Sequence, residues 1–254
     1  MTLGSHTIER LENRVLLSSV YLHDRQLTAV GDPVQGNNIS VSFDKVQKII
    51  TLTLNGVAYG YRSRQISLVN LVGGAGNDWL HVDETISKFT LRTRFIPMEG
   101  DNAVVGGSES DTFLCGGGGN DTIYTGAGDD TVIGGAGNDT IVAGDNFKLI
   151  YAARGKNTIT TGHGRGYIFG GQGGNNINSA GDQFEIFGGA GDDTLTGGGF
   201  DTLWGGGGHD VLTGGLERNY RQFSGYAKIK HVLYPDIPTI RTATGSFKVY
   251  VPRL

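Results

Sequence analysis

The chain is poor in cysteine and proline and has no long apolar run. Cys115 is the only cysteine among 254 residues, which excludes a disulfide scaffold. Only 5 prolines are present and the glycines do not fall at every third position, which excludes collagen. No segment approaches the roughly 18 consecutive apolar residues of a membrane-spanning helix. Familiar catalytic signatures are missing as well: there is no HExxH helix, no GxSxG elbow and no GxxxxGKS or GxxxxGKT loop. His6, His23, His81 and His231 lack metal-ligand spacing, while His163 and His209 lie in glycine-rich loops. Ser110, Asp111 and Cys115 have no histidine base nearby in sequence. The expectation is a protein that is not an enzyme.

Glycine fills the space those residues leave. It accounts for 44 of 254 positions, more than twice the usual share of about 7%. Charge is unevenly spread beneath a net −4. Residues 106–213 hold 13 acidic and 4 basic side chains, residues 1–105 hold 10 of each, and residues 214–254 hold 7 basic and 2 acidic. An acidic middle is the opposite of the contiguous basic face that nucleic acid requires. Abundant carboxylate oxygen points to a hard cation.

The glycine is periodic. From Gly116 to Thr196 the chain divides into nine uninterrupted nonapeptides, beginning GGGGNDTIY, TGAGDDTVI, GGAGNDTIV and ending GGAGDDTLT. Every eighth position is aliphatic: Ile123, Val132, Ile141, Ile150, Ile159, Ile168, Ile177, Ile186 and Leu195. A shortened unit from Gly197 and another nonapeptide from Gly205 follow; GGAGNDWLH at 73–81 and GGSESDTFL at 106–114 precede. A six-residue glycine-rich loop tolerates positive φ, and the three residues after it suit a short strand with one inward side chain. Two units make an 18-residue coil with a strand on each side, and stacked coils bond at about 4.8 Å spacing. No single coil can bury its aliphatic face, so stability must come from stacking.

These units resemble the RTX, or hemolysin-type, nonapeptide GGxGxD followed by x-aliphatic-x. The resemblance implies an all-β fold, a right-handed parallel β-roll that binds Ca²⁺ between stacked loops through backbone carbonyls and sixth-position carboxylates. The alternative from the residues alone is a metal-free solenoid in which Asn and Asp cap turns and form ladders. Sixth positions on one side read Asp121, Asp139, Asn157, Asn175, Asp193 and Asp210; on the other, Asp111, Asp130, Lys148, Gly166, Phe184 and Asp201. Carried over residue by residue, the resemblance makes Asp121 with Asp139 the best calcium site and Asp193 with Asp210 the next. Asp111 with Asp130 is a third, weakened by the extra Cys115 and by Glu109 in place of a loop glycine. Asp201 lies in a shortened loop, and Asp78 is expected to cap a turn. Two carboxylates about 5 Å apart repel by roughly 3 kcal/mol at an effective dielectric of 20, so folding and calcium binding should be coupled.

Lys148, Arg154, Lys156 and Arg165 all fall where the Asp series is broken. Either they replace lost calcium charge, pairing with Asp145 or Asp182, or they are solvated surface residues on drifted repeats. Ninth positions should face outward. One sheet reads Tyr124, Val142, Thr160, Asn178 and Thr196, mostly polar; the other reads Ile133, Tyr151, Phe169, Phe187 and Trp204, with Leu149 and Tyr167 beside them. Such an apolar ladder is too large to leave bare. It is either covered by the chain's own tail or binds a partner, with Tyr151, Tyr167, Phe169 and Phe187 as contact residues and a glycan or cell-surface component as the partner.

Four regions follow. Residues 1–24 include Leu11 to Ser18, a segment similar to the Leu-Glu-Pro-Arg-x-Leu-Leu-Ser signature of bacterial surface and secreted proteins, with Asn13 where Pro is usual. It reads as an export or sorting element or as an amphipathic helix. Residues 25–105 read as an N-terminal β cap merging into degenerate coils, 106–213 as the roll, and 214–254 as a basic C-terminal cap. Calcium demand places the protein outside the cell or on a bacterial surface. The leading function is a calcium-binding structural or interaction module. A glycan-binding adhesive module, and less so a polysaccharide-modifying solenoid enzyme using Asp145, Asp182 and Lys148, are the alternatives.

Overall fold

The computed structural model describes residues 18–84, 88–181 and 183–214 in full. It also describes the backbone of the strands Tyr220–Arg221, Tyr226–Lys230, Ile240–Thr242 and Gly245–Phe247. The segment Leu11 to Leu17, and Asp182, lie outside the described residues. Among the described residues almost all regular structure is strand, with a single 3-10 turn at Ser63–Gln65. The strands form a parallel β-solenoid whose successive coils place one strand in each of two facing sheets, of 11 and 12 strands.

The nonapeptide arithmetic sets the register. Asp130 stands opposite Lys148 and Ile141 opposite Ile159, a repeat of 18 residues per coil. The extra Cys115 lengthens one step to 19, pairing Thr112 with Thr131; the shortened unit reduces another to 17, pairing Ile186 with Leu203. In each case the loop absorbs the irregularity and the strands stay in phase. All nine aliphatic eighth positions from Ile123 to Leu195 are fully buried. Burying one such side chain contributes about 1.5–3 kcal/mol, repeated at every half-coil. Nearer the N-terminus the coils hold larger rings, and Phe95 stacks on Phe113 with centroids 4.8 Å apart.

Antiparallel strands close the N-terminal end of both sheets. Ser19–His23 folds back on Gln26–Val30 in one sheet. In the other, Asn38–Asp44 is followed by the hairpin Ile49–Leu54 and Val57–Arg62. Its turn, Asn55-Gly56, has positive φ at both residues (48° and 85°), the geometry that two-residue hairpin loops demand. At the other end, Tyr220–Arg221 and Tyr226–Lys230 add one parallel strand to each sheet. These two strands prolong the stack, whereas Ile240–Thr242 and Gly245–Phe247 pair antiparallel as a separate two-stranded sheet. The tail residues expected to cover the outer apolar ladder are Tyr220, Phe223, Tyr226, Val232, Tyr234, Ile237, Phe247 and Tyr250, and the side chains of all eight lie outside what the structure describes.

Candidate functional site

Loop packing is tight because glycine carbonyls stack directly over one another. At Gly137, with φ 132°, a Cβ would stand 1.7 Å from the carbonyl oxygen of Gly119 one coil away. Only glycine allows that approach, and it brings a row of backbone oxygens to one edge of the roll.

Along the same edge runs an unbroken ladder of buried Asx side chains: Asn37, Asp78, Asn102, Asp121, Asp139, Asn157, Asn175, Asp193 and Asp210. Each backbone N–H donates to Oδ1 of the next member, at 2.7–3.0 Å throughout. Asn37 and Asn102 show how far the signal extends beyond the nonapeptide array: both are full ladder members although neither lies in a recognisable repeat. Where an Asn precedes, its amide also donates to the next Oδ1: Asn37 to Asp78 at 2.8 Å, Asn102 to Asp121 at 2.9 Å, Asn157 to Asn175 at 3.2 Å and Asn175 to Asp193 at 3.0 Å. In those steps the amide adds a second donor to the same oxygen. At Asp121 to Asp139 and Asp193 to Asp210 a carboxylate follows a carboxylate and no such amide intervenes.

The second carboxylate oxygens separate the positions further. Asp78 Oδ2 accepts the N–H of Gly74 at 2.7 Å, as a turn cap does. On the opposite edge Asp111 Oδ2 accepts from Gly107 and Asp201 Oδ2 from Gly198, both at 2.9 Å. Asp130 Oδ2, Asp139 Oδ2 and Asp193 Oδ2 are buried with no hydrogen-bond donor among the described residues; of the three, Asp130 Oδ2 has an ion-pair partner, the Lys148 ammonium. A buried, unsatisfied carboxylate oxygen is costly, and a bound cation is the group that would satisfy it.

The electrostatics agree. Desolvation raises the Asp193 carboxyl to about 7, with Asp210 adding to the shift and the Asn175 bonds opposing it. Desolvation likewise raises Asp121 to about 6, with Asp139 contributing. Asp139 and Asp78 are raised for the same first cause. Asp111 reaches about 7 through desolvation, despite the N–H groups of Gly107 and Thr93. No group of three or more His, Cys, Asp or Glu side chains suited to a metal occurs among the described residues. An ion here would draw most of its ligands from backbone carbonyls, an oxygen shell that fits calcium and not zinc.

The opposite edge is different. Asp111 N–H donates to Asp130 Oδ1 at 2.9 Å, but the next position is Lys148, whose side chain is wholly buried. Lys148 pairs with the carboxylate of Asp130 at 3.1 Å and reaches Asp145 through the backbone carbonyl, not the side chain. The expected Asp145 pairing is thus corrected: the Asp145 carboxylate is occupied by the N–H of His163, at 2.9 Å. Arg154, Lys156 and Arg165 form no ion pair with any described residue. Cys115 is buried, and its thiol is pushed well above the ordinary range by desolvation, with Asp121 and Asp139 adding to it. It is an inert thiol.

The outward apolar ladder is a continuous stack. Tyr151, Phe169, Phe187 and Trp204 follow at centroid distances of 4.7, 4.9 and 5.6 Å, with planes within 3–11° of parallel. Rings this close overlap face on face, because rings lying side by side in one plane could not approach so closely. Sugar recognition would use those faces, and here they are largely turned on one another. Tyr167 stands beside the stack, edge-on to Phe147 at 6.5 Å.

Fold and loops together define a parallel β-solenoid with glycine-lined turns and carboxylates stacked along an edge. The comparison of families agrees, since the RTX calcium-binding nonapeptide repeat matches in four copies, over residues 70–84, 116–146 and 187–220. The chain carries RTX calcium-binding nonapeptide repeats. The matched segments contain Asp78, Asp121, Asp130, Asp139, Asp193, Asp201 and Asp210; the unmatched stretch 147–186 is the one where the Asp series lapses. No curated protein and no solved structure matches the chain. No helix among the described residues is long and apolar enough to cross a membrane.

Proposed function

We propose that this protein is a calcium-binding β-roll that serves as a structural or interaction module outside the cell or on a bacterial surface, and whose folding is coupled to the ion. The observation that carries the reading is the pair of buried oxygens with neither a hydrogen-bond donor nor an ion pair among the described residues, Asp139 Oδ2 and Asp193 Oδ2, each in a step where carboxylate meets carboxylate. Asp121 with Asp139, and Asp193 with Asp210, are the principal ligands in this reading. Asp111, Asp130 and Asp201 are secondary, because their second oxygens already have partners. Calcium would supply the positive charge that lets stacked carboxylates remain ionised, and its demand for millimolar-range supply is the argument for an external location.

Far-UV circular dichroism and thermal melting of the whole chain, titrated with Ca²⁺ from a chelated buffer, test the reading. Two sites held at about 100 times their dissociation constant would add roughly 5 kcal/mol, raising Tm by at least 10 °C. A cooperative melt indifferent to calcium would mean that the aliphatic stack suffices and the carboxylates serve only as turn caps.

A further inference from the structure

The edge opposite the Asx ladder holds a second cation device. Asp130 and Lys148 are register partners in adjacent coils, and neither side chain has any exposed surface. The Lys148 ammonium lies 3.1 Å from Asp130 Oδ2, donates to the Gly128 carbonyl at 2.6 Å and donates to the Asp145 carbonyl. Three oxygens thus converge on one positive charge, and they come from two stacked loops, 125–130 and 143–148. An ammonium has three donors, and here each has an oxygen to meet. The donor set is one carboxylate and two backbone carbonyls, the ligand chemistry of a hard cation.

We propose that Lys148 is a tethered resident cation. Its ammonium fills the space between these two loops that a divalent ion would take, so this loop pair is closed without calcium and does not admit it. The rest of the edge makes the same point by other means. Asp111 and Asp201 are capped by N–H groups of their own loops, and the equivalent position at 184 is a buried phenylalanine. One edge of the roll carries the principal calcium ligands, and on the other the Asp130 charge is met by Lys148. The proposal rests on the calcium reading above only for the identity of the ion that Lys148 excludes.

The test uses the full chain as wild type, Lys148→Asp, Lys148→Met and the double variant Asp130→Asn with Lys148→Met. Bound calcium is counted by equilibrium dialysis, and melting is followed in chelator. Lys148→Asp, which gives the loop pair two carboxylates, should bind one calcium more per chain than wild type. Lys148→Met, which strands a buried carboxylate, should lower Tm in chelator by about 10 °C, and the double variant should recover more than half of that loss. Equal calcium counts in folded wild type and Lys148→Asp would overturn the proposal. So would a Lys148→Met melt equal to wild type, or a double variant with no recovery. Should Lys148→Asp not fold, the two melts decide. A wild type that binds no calcium would sink the reading of the opposite edge, while the melts of the Met variants would still judge the lysine.

Discussion

An aspartate and an asparagine differ by one protonatable oxygen, and in this roll that difference decides where an ion is needed. Asn157 and Asn175 pass their amide hydrogens along the ladder, so the central coils carry no excess charge on that edge. Asp139 and Asp193 cannot, and each leaves one oxygen without a donor. Replacing both by Asn should therefore have opposite effects in two solutions. In chelator, the Asp139→Asn, Asp193→Asn protein should melt higher than wild type, since two buried charges are gone and the ladder bond through Oδ1 is kept. In saturating calcium it should melt lower, by several degrees, since the ligands are gone. Differential scanning calorimetry in both buffers reads the crossing; a variant that is weaker in both would make these residues plain structural caps.

Within a strand, the outward ninth residue matters through its neighbours one coil away. Phe169 is sandwiched between Tyr151 and Phe187 at 4.7 and 4.9 Å, so its loss breaks two ring contacts at once. Phe169→Ser should cost about 2–3 kcal/mol, from two contacts of roughly 0.5–1.5 kcal/mol each plus lost apolar burial, and lower Tm by about 6 °C. Tyr124→Ser, at an outward ring with no stacking partner among the described residues, should cost under 1 kcal/mol; equal melts for the two variants would show that the stack has no structural weight. Period was what the sequence made plain. The eighth positions from Ile123 to Leu195 announced the core, and the nonapeptide gave the coil, because both are repeated local choices. Asn37 and Asn102 were not legible as ladder members, since their loops have lost the glycine pattern and only register brings them into line. Nor was the partner of Lys148: Asp130 precedes it by one coil, and a search for nearby carboxylates in sequence finds Asp145 first. Contacts across coils depend on side-chain direction, and the order of residues alone does not give it.

For the roll as a whole, burial and charge set a pH dependence whose sign depends on calcium. Without the ion, Asp111 and Asp193 titrate at about 7 and Asp121 at about 6 in the folded chain, against an ordinary carboxyl near 4 when unfolded. Above pH 7 these groups are ionised in both states and the folded state bears the whole desolvation cost. As pH falls from 7 towards 5 the folded chain takes up protons that the unfolded chain does not, so stability rises; below about 4 both states are protonated and the gain levels off. Half-buried His81, stacked on Trp79 and lowered by desolvation, works against this, because the unfolded chain gains its proton first. It is one group against three carboxylates with large shifts, so metal-free Tm should increase between pH 7.5 and pH 5. With calcium bound, the ionised form is the one the ion holds, protons compete with it, and Tm should decrease over the same interval. Melting curves at four or five pH values, with and without chelator, would give two lines of opposite slope. Parallel lines would mean that the buried carboxylates do not respond to calcium, and that this acidic edge is stabilised by its hydrogen-bond ladder alone.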